Sequence, residues 1–294
     1  MTNSSSLRLT VAAVCAAVFI QTASAEIAVK SGEKIAFLGD SITAGGWGSP
    51  VGYVRLVIAG LAANGVQAEP VPAGIGGHKS NDMLARLERD VISKSPQWMT
   101  LSCGVNDVWH GKGGVPLDDA AAAVEGAYDG KVAERGTYKK NMAEIVDKAQ
   151  AAKIQVVLLT ATVIQENLDG AENGKLAPFN EYLRALAKEK KLRLADLNAL
   201  FQERIKAENK PGQKVLTGDG VHMNPEGDKL MAAGVLTALG LDAAQMKKAQ
   251  DAWMVLAAQA KADAEAKAKA KAAAKEKADA EAKAKAAAEA PAAK

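Results

Sequence analysis

Three residues in this chain have the types and spacing for nucleophilic acyl transfer. Ser41 closes the run Gly39-Asp40-Ser41, and Asp219-Gly220-Val221-His222 places a carboxylate and an imidazole three positions apart. A serine hydroxyl attacks poorly until a base takes its proton. Histidine suits that task because it titrates near working pH. A carboxylate close in sequence can reach the imidazole nitrogen that faces away from the serine, fixing the tautomer and supporting the imidazolium. The expected roles are Ser41 as nucleophile, His222 as general base and Asp219 as the acid that orients it.

A tetrahedral intermediate also needs donors for its oxyanion, and losing one typically costs about 10²–10³ in rate. Gly77, in GIGGHKSNDMLARL, offers a backbone N–H with no side chain to block approach, and Asn106 offers a neutral amide. Other polar residues nearby read as structural. Asp40 and Asp107 are expected to shape their loops, His78 to be a loop residue, and His110 to sit on the rim with no acid beside it. Trp47, Tyr53 and Trp109 flank these segments and read equally as packing or as a platform for an acyl or sugar group. Cys103 ends an apolar run and reads as a small core residue. The three histidines are far apart and no His/Cys cluster has metal-ligand spacing, so neither a metal nor another cofactor is expected.

These residues need a scaffold, and the chain alternates short apolar runs with longer helical patterns. Strands are expected at 34–38, 66–71, 98–103, 154–161 and 192–194. Helices are expected at 53–64, 80–93, 138–152, 177–190, 198–208 and 225–239, and a partly helical stretch at 117–128 within the glycine-rich connection 111–136. Near-continuous apolar strands alternating with helices predict a parallel sheet covered on both faces. In such sheets ligands bind beyond the carboxyl ends of strands. The loops carrying Ser41, Gly77 and Asn106 follow the first, second and third expected strands, so they should share one rim.

Gly39-Asp40-Ser41-Ile42-Thr43, the glycine block at Gly77, Gly104-Val105-Asn106-Asp107 and Asp219-Gly220-Val221-His222 resemble, in order and spacing, the four blocks of the SGNH (GDSL-like) hydrolases. The chain is similar to the lysophospholipase-L1-like, small-esterase branch, over about 35–239. The resemblance implies an α/β/α sandwich around a five-stranded parallel sheet, of flavodoxin-like order. It also implies an oxyanion hole of the Ser41 N–H, the Gly77 N–H and the Asn106 side chain. Two departures touch the Gly77 loop: Pro72 stands where the family often has Asn, and His78 where it often has Asp. Gly76 therefore remains an alternative donor.

The two ends have separate character. Arg8, the apolar run 9–20 and Ala23-Ser24-Ala25 have the layout of a secretory signal peptide, so residues 1–25 are expected to direct export to the periplasm or medium. The Ala/Lys/Glu-rich tail 259–294 lacks an apolar stripe and reads as a solvated, helical or disordered spacer. From Lys261 it carries nine lysines against six acidic residues, the whole of the chain's +3. The remainder balances at 28 basic and 28 acidic residues, which argues against nucleic acid as a partner. A weak contact between tail and envelope polyanions is one expectation. The hydrolase domain is expected at 26–258, with a small acyl ester or an acylated carbohydrate as substrate. Lysophospholipase or thioesterase activity is the alternative within hydrolases; a non-catalytic envelope-binding module is the alternative outside them.

Overall fold

A computed structural model describes residues 26–208, 210 and 212–289. The expected export signal, residues 1–25, lies outside the described residues. Five strands form one sheet: β1 (Lys34–Gly39), β2 (Glu69–Gly74), β3 (Trp98–Ser102), β4 (Gln155–Leu159) and β5 (Arg193–Ala195). The helices, in chain order, are α1 (Ser41–Gly48), α2 (Tyr53–Ala63), α3 (Ser80–Asp90), α4 (Val105–Trp109), α5 (Asp119–Ala122), α6 (Val132–Arg135), α7 (Tyr138–Ala151), α8 (Ala171–Glu189), α9 (Leu197–Glu208), α10 (Pro225–Ala238) and α11 (Ala243–Glu289).

All strand pairs are parallel and the order is β2-β1-β3-β4-β5. The chain leaves β1 toward β2 on one side and returns through β3 on the other. The carboxyl ends of β1 and β3 are thus the switch point, where open α/β sheets bind ligands. Ile35–Leu38, Met99–Leu101 and Val157–Leu159 are almost wholly buried, which is why these runs read as uninterrupted apolar sequence rather than as alternation.

Three expected elements move, and one is α8, which starts at Ala171 rather than at 177 and carries Pro178 inside it. The second strand lies at Glu69–Gly74, three residues beyond the run 66–71, and Pro70 and Pro72 stand within it. β2 is an edge strand, and an edge tolerates residues that cannot donate to a ladder. The stretch 117–128 is helical only over Asp119–Ala122, capped by Asp118 and broken before Gly126 at φ 71°.

The last helix runs unbroken from Ala243 to Glu289, roughly 70 Å at 1.5 Å per residue. Among its described side chains only those of the first turns pack: Ala249 and Trp253 are buried, and Trp253 Nε1 donates to the Leu56 carbonyl of α2 at 2.7 Å. Every side chain from Lys261 to Ala278 is exposed. Among the described residues no helix is long and apolar enough to cross a membrane.

Candidate active site

β1 ends at Gly39, where a side chain would run into Thr43. The chain turns sharply there and enters α1. The Asp40 carboxylate caps that helix by accepting from the Ile42 amide at 2.9 Å. Ser41 is therefore the first helical residue, in the turn whose amides have no carbonyl partner within the helix. Thr43 Oγ1 bonds the Tyr53 hydroxyl at 2.8 Å, tying α1 to the start of α2. The Asp228 carboxylate of α10 accepts from the Tyr53 amide, also at 2.8 Å.

The Asp219–His222 segment lies in a loop closed on itself. Thr217 and Met223 form an antiparallel bridge, and the Gly218 amide donates to the His222 carbonyl at 2.8 Å. Asn224 then caps α10 by accepting from the amides of Glu226 and Gly227. Inside this loop one oxygen of Asp219 accepts from the amides of Val221 (2.9 Å) and His222 (2.8 Å). Its other oxygen lies 2.6 Å from His222 Nδ1. His222 Nε2 lies 2.8 Å from Ser41 Oγ, across 181 positions of sequence. Partial burial acts to raise the Asp219 pKa, but the hydrogen bonds from the His222 ring and from the two amides prevail. They hold its carboxyl well below the usual range. It is a fixed anion facing the imidazole.

The β2–α3 loop brings the glycine block to the same rim. Ile75 donates to the Gly39 carbonyl at 3.1 Å, and the space a Gly76 side chain would take faces Ser41. Gly77 adopts φ 77° and lies beside His110. Asn106, buried on α4, donates one amide hydrogen to the His78 carbonyl at 3.1 Å, which joins this loop to the β3–α4 turn. Ser41, Gly76, Gly77, Asn106, Asp219 and His222 thus gather at one end of the sheet.

The other polar residues have structural partners. Burial pushes the Asp40 pKa up to about 6 and raises that of Asp107. Asp107 accepts from both the amide and the hydroxyl of Ser80, fixing the start of α3. His78 accepts from Arg86 Nε at 3.1 Å. Burial and the Arg86 guanidinium lower its pKa. His110 is exposed on the rim. Cys103 is buried, and burial pushes its thiol well above the ordinary range, so it stays protonated.

The three flanking aromatic residues part company. Tyr53 is fully buried, and Trp47 packs beneath the Arg55 guanidinium at 3.8 Å. Trp109 is 40% exposed and stands edge-to-face with His222 at 6.4 Å between ring centroids. A cavity of about 220 Å³ opens beside Ser41 and His222, walled by Ile42, Gly45, Gly46 and Val51. Two supporting residues carried no signal in sequence. Arg86, the buried one of two arginines on α3, donates to the carbonyls of Gly39 and Ala73 at 2.7 and 2.8 Å. Asp228 is the other. Among the described residues no group of three or more His, Cys, Asp or Glu side chains is placed to hold a metal ion.

Comparison with known proteins identifies the family. The family model of the GDSL-like lipase/acylhydrolases matches residues 37–230. The chain belongs to the GDSL-like lipase/acylhydrolase family. It is a carboxylic ester hydrolase with the fold of that family. An acetylxylan esterase of Geobacillus stearothermophilus is 26% identical over 228 residues, 73% of this chain and 97% of that one. The crystal structure of the acetyl xylan esterase AlAXEase is 32% identical with a TM-score of 0.57, covering 70% of this chain and 98% of that one. LAE5, an α/β hydrolase from the metagenome of Lake Arreo, Spain, is 25% identical with a TM-score of 0.58, covering 73% and 98%. The family match ends before α11, the whole of which lies beyond residue 230 in this GDSL-like acylhydrolase.

Proposed function

We propose that this protein removes acetyl groups from carbohydrate hydroxyls through an acyl-enzyme on Ser41. The observation that carries the reading is the continuous chain from Asp219 to His222 Nδ1 at 2.6 Å and from His222 Nε2 to Ser41 Oγ at 2.8 Å. His222 takes the Ser41 proton as Oγ attacks the ester carbonyl, and the Asp219 anion supports the imidazolium. The Ser41 N–H, the Gly77 N–H and the free amide hydrogen of Asn106 receive the oxyanion, with Gly76 the alternative to Gly77. The imidazolium then protonates the departing sugar oxygen. A water that gives its proton to His222 attacks acetyl-Ser41 and releases acetate.

Two observations support an acetyl substrate on sugar. The cavity beside Ser41 is small and walled by Gly45 and Gly46 within α1, room for a short acyl group rather than a long chain. Trp109 presents an exposed indole beside His222, a surface on which a sugar ring can stack. Among relatives, two are acetylxylan esterases, and solved catalytic mutants of the Geobacillus stearothermophilus enzyme replace one aspartate and one serine by alanine. Export belongs to the same proposal, because an acetylated polysaccharide lies outside the cell. Its check is the N-terminus of protein recovered outside the cytoplasm, expected at Glu26.

The deciding experiment compares p-nitrophenyl acetate, butyrate and octanoate, and then acetylated xylo-oligosaccharides, with wild type and Ser41→Ala. Wild type should cleave acetate best and release acetate from the oligosaccharide, and the variant should lose about 10⁶ in kcat. Preference for octanoate would favour a lipid ester. Full activity in Ser41→Ala would remove the serine mechanism.

A further inference from the structure

The loop that carries Asp219 and His222 is held from outside by the segment that follows β4, and one carboxylate there makes most of the contacts. β4 is followed by an extended segment that ends in Gln165 and Glu166, two consecutive non-glycine residues with left-handed backbone, φ 62° and 52°. That conformation is disfavoured for both and persists only where surrounding contacts impose it. The contacts are on the catalytic loop. The Gln165 amide donates to the Gly220 carbonyl at 2.7 Å. Gly220 has φ 106°, and a side chain there would strike the Gln165 amide group. One Glu166 oxygen accepts from the Val215 amide at 2.6 Å. The other accepts from the amides of Leu216 (3.0 Å) and Thr217 (2.6 Å), and from the Thr217 hydroxyl. Three successive backbone N–H groups and a hydroxyl thus converge on one anion, the arrangement of an anion-binding nest with its anion supplied by the protein.

We infer that Glu166 is the positioning residue of the acid–base pair, holding Val215–Thr217 so that Asp219 and His222 sit in register with Ser41. The inference rests on the proposed roles of Asp219 and His222. Thr217 is the residue whose bridge to Met223 closes the catalytic loop, so the clamp acts two residues before Asp219. A charged acceptor makes stronger hydrogen bonds than a neutral one. Three amides pulled to one point also leave that stretch with little freedom to rotate. Without the carboxylate, these donors would turn toward water and the loop would gain a range of positions. Imidazole and serine need near-attack placement, and a displacement of about 1 Å can cost about 10² in rate. The residue touches neither substrate nor serine; it acts through the loop.

The test uses the full-length protein with Glu166→Ala, Glu166→Gln and His222→Ala, assayed on p-nitrophenyl acetate and by the rate of fluorophosphonate labelling at Ser41. Loss of a partner of this kind typically costs about 10- to 100-fold in activity. Glu166→Ala should lower kcat by that factor with little change in KM, and slow labelling in parallel. The low-field proton resonance of the His222–Asp219 hydrogen bond should broaden or vanish. Glu166→Gln should fall between, because a neutral amide presents one acceptor and one donor to four donors. Added formate should restore kcat to Glu166→Ala in a saturable way and leave wild type unchanged. Unaltered kcat, labelling and resonance in folded Glu166→Ala would overturn the inference. So would a loss that appears only as a lower melting temperature without formate rescue. Failure of the underlying reading has a different signature: His222→Ala would keep its activity and its labelling.

Discussion

Two buried carboxyl groups near the nucleophile oppose the usual effect of acid. Asp40 caps α1 and Asp228 caps the approach to α2, and burial raises each pKa to about 6 from an ordinary 3.8. Each binds its proton more tightly in the folded chain than in the unfolded one. Their contribution therefore favours the fold while they are protonated. It declines as pH rises through about 4 to 6 and is lost above that. Asp219 has the opposite sign: its lowered pKa gives stability above the unfolded value, lost as pH falls below it. Asp228→Asn isolates one of these effects, since an amide oxygen can still accept from the Tyr53 amide. Urea unfolding of this variant should show its stability relative to wild type rising by about 2 kcal/mol between roughly pH 4 and pH 7. A gap independent of pH would mean that Asp228 titrates normally.

Between residues and sheet stands α3, whose Arg86 holds the carboxyl ends of two strands. Its guanidinium spans the carbonyls of Gly39 and Ala73 and also donates to the Asp90 carboxylate and to His78 Nδ1, each at 3.1 Å. Arg86→Met keeps the volume but leaves two buried carbonyls unpaired. It should cost about 2–3 kcal/mol in denaturant unfolding, and kcat should fall because the Gly39–Ser41 turn loosens. Arg86→Lys should recover little, since one ammonium lacks the fork that reaches both strands. An unchanged denaturation midpoint in Arg86→Met would contradict this role. The same contrast explains what could be read before the structure. The four blocks were legible because glycine, serine, asparagine and Asp-x-x-His carry their chemistry in local sequence and follow apolar runs that form the sheet. Arg86, Asp228 and Glu166 were not, because each acts on backbone groups of a distant segment, and a lone charged residue on a helix or turn looks like any solvated one. The edge strand was misplaced for a related reason: Pro70 and Pro72 break the apolar signal where an unpaired edge can afford them. Among the aromatic residues, sequence proximity to the motifs did not distinguish buried Tyr53 from exposed Trp109.

At the scale of the whole molecule the question is where the cooperative unit ends, and α11 crosses that boundary within one helix. Its first turns cover α2 through Ala249 and Trp253, and α2 begins at Tyr53, which Asp228 and Thr43 connect to the site. Beyond Lys261 the described side chains are all exposed, so helix propensity from Ala, Lys and Glu sustains that stretch without a packed face. Met254 and Val255, at 65% and 71% exposed, face away from the body, and Leu256 is the last residue of the helix packed against the core. Deleting 261–294 removes the chain's whole excess charge, and none of the side chains described there, 261–278, is buried. It should therefore leave the melting temperature and kcat for p-nitrophenyl acetate unchanged. Trp253→Ala removes a buried indole and its hydrogen bond to Leu56, and should cost about 3 kcal/mol. The two together separate a spacer from a brace. If the deletion lowers the melting temperature as much as Trp253→Ala does, the distal helix must pack on the body, and the unit that folds extends past Lys261. If only Trp253→Ala is costly, the helix changes from core to tether within its first five turns. The distal stretch then extends from the esterase without bracing it.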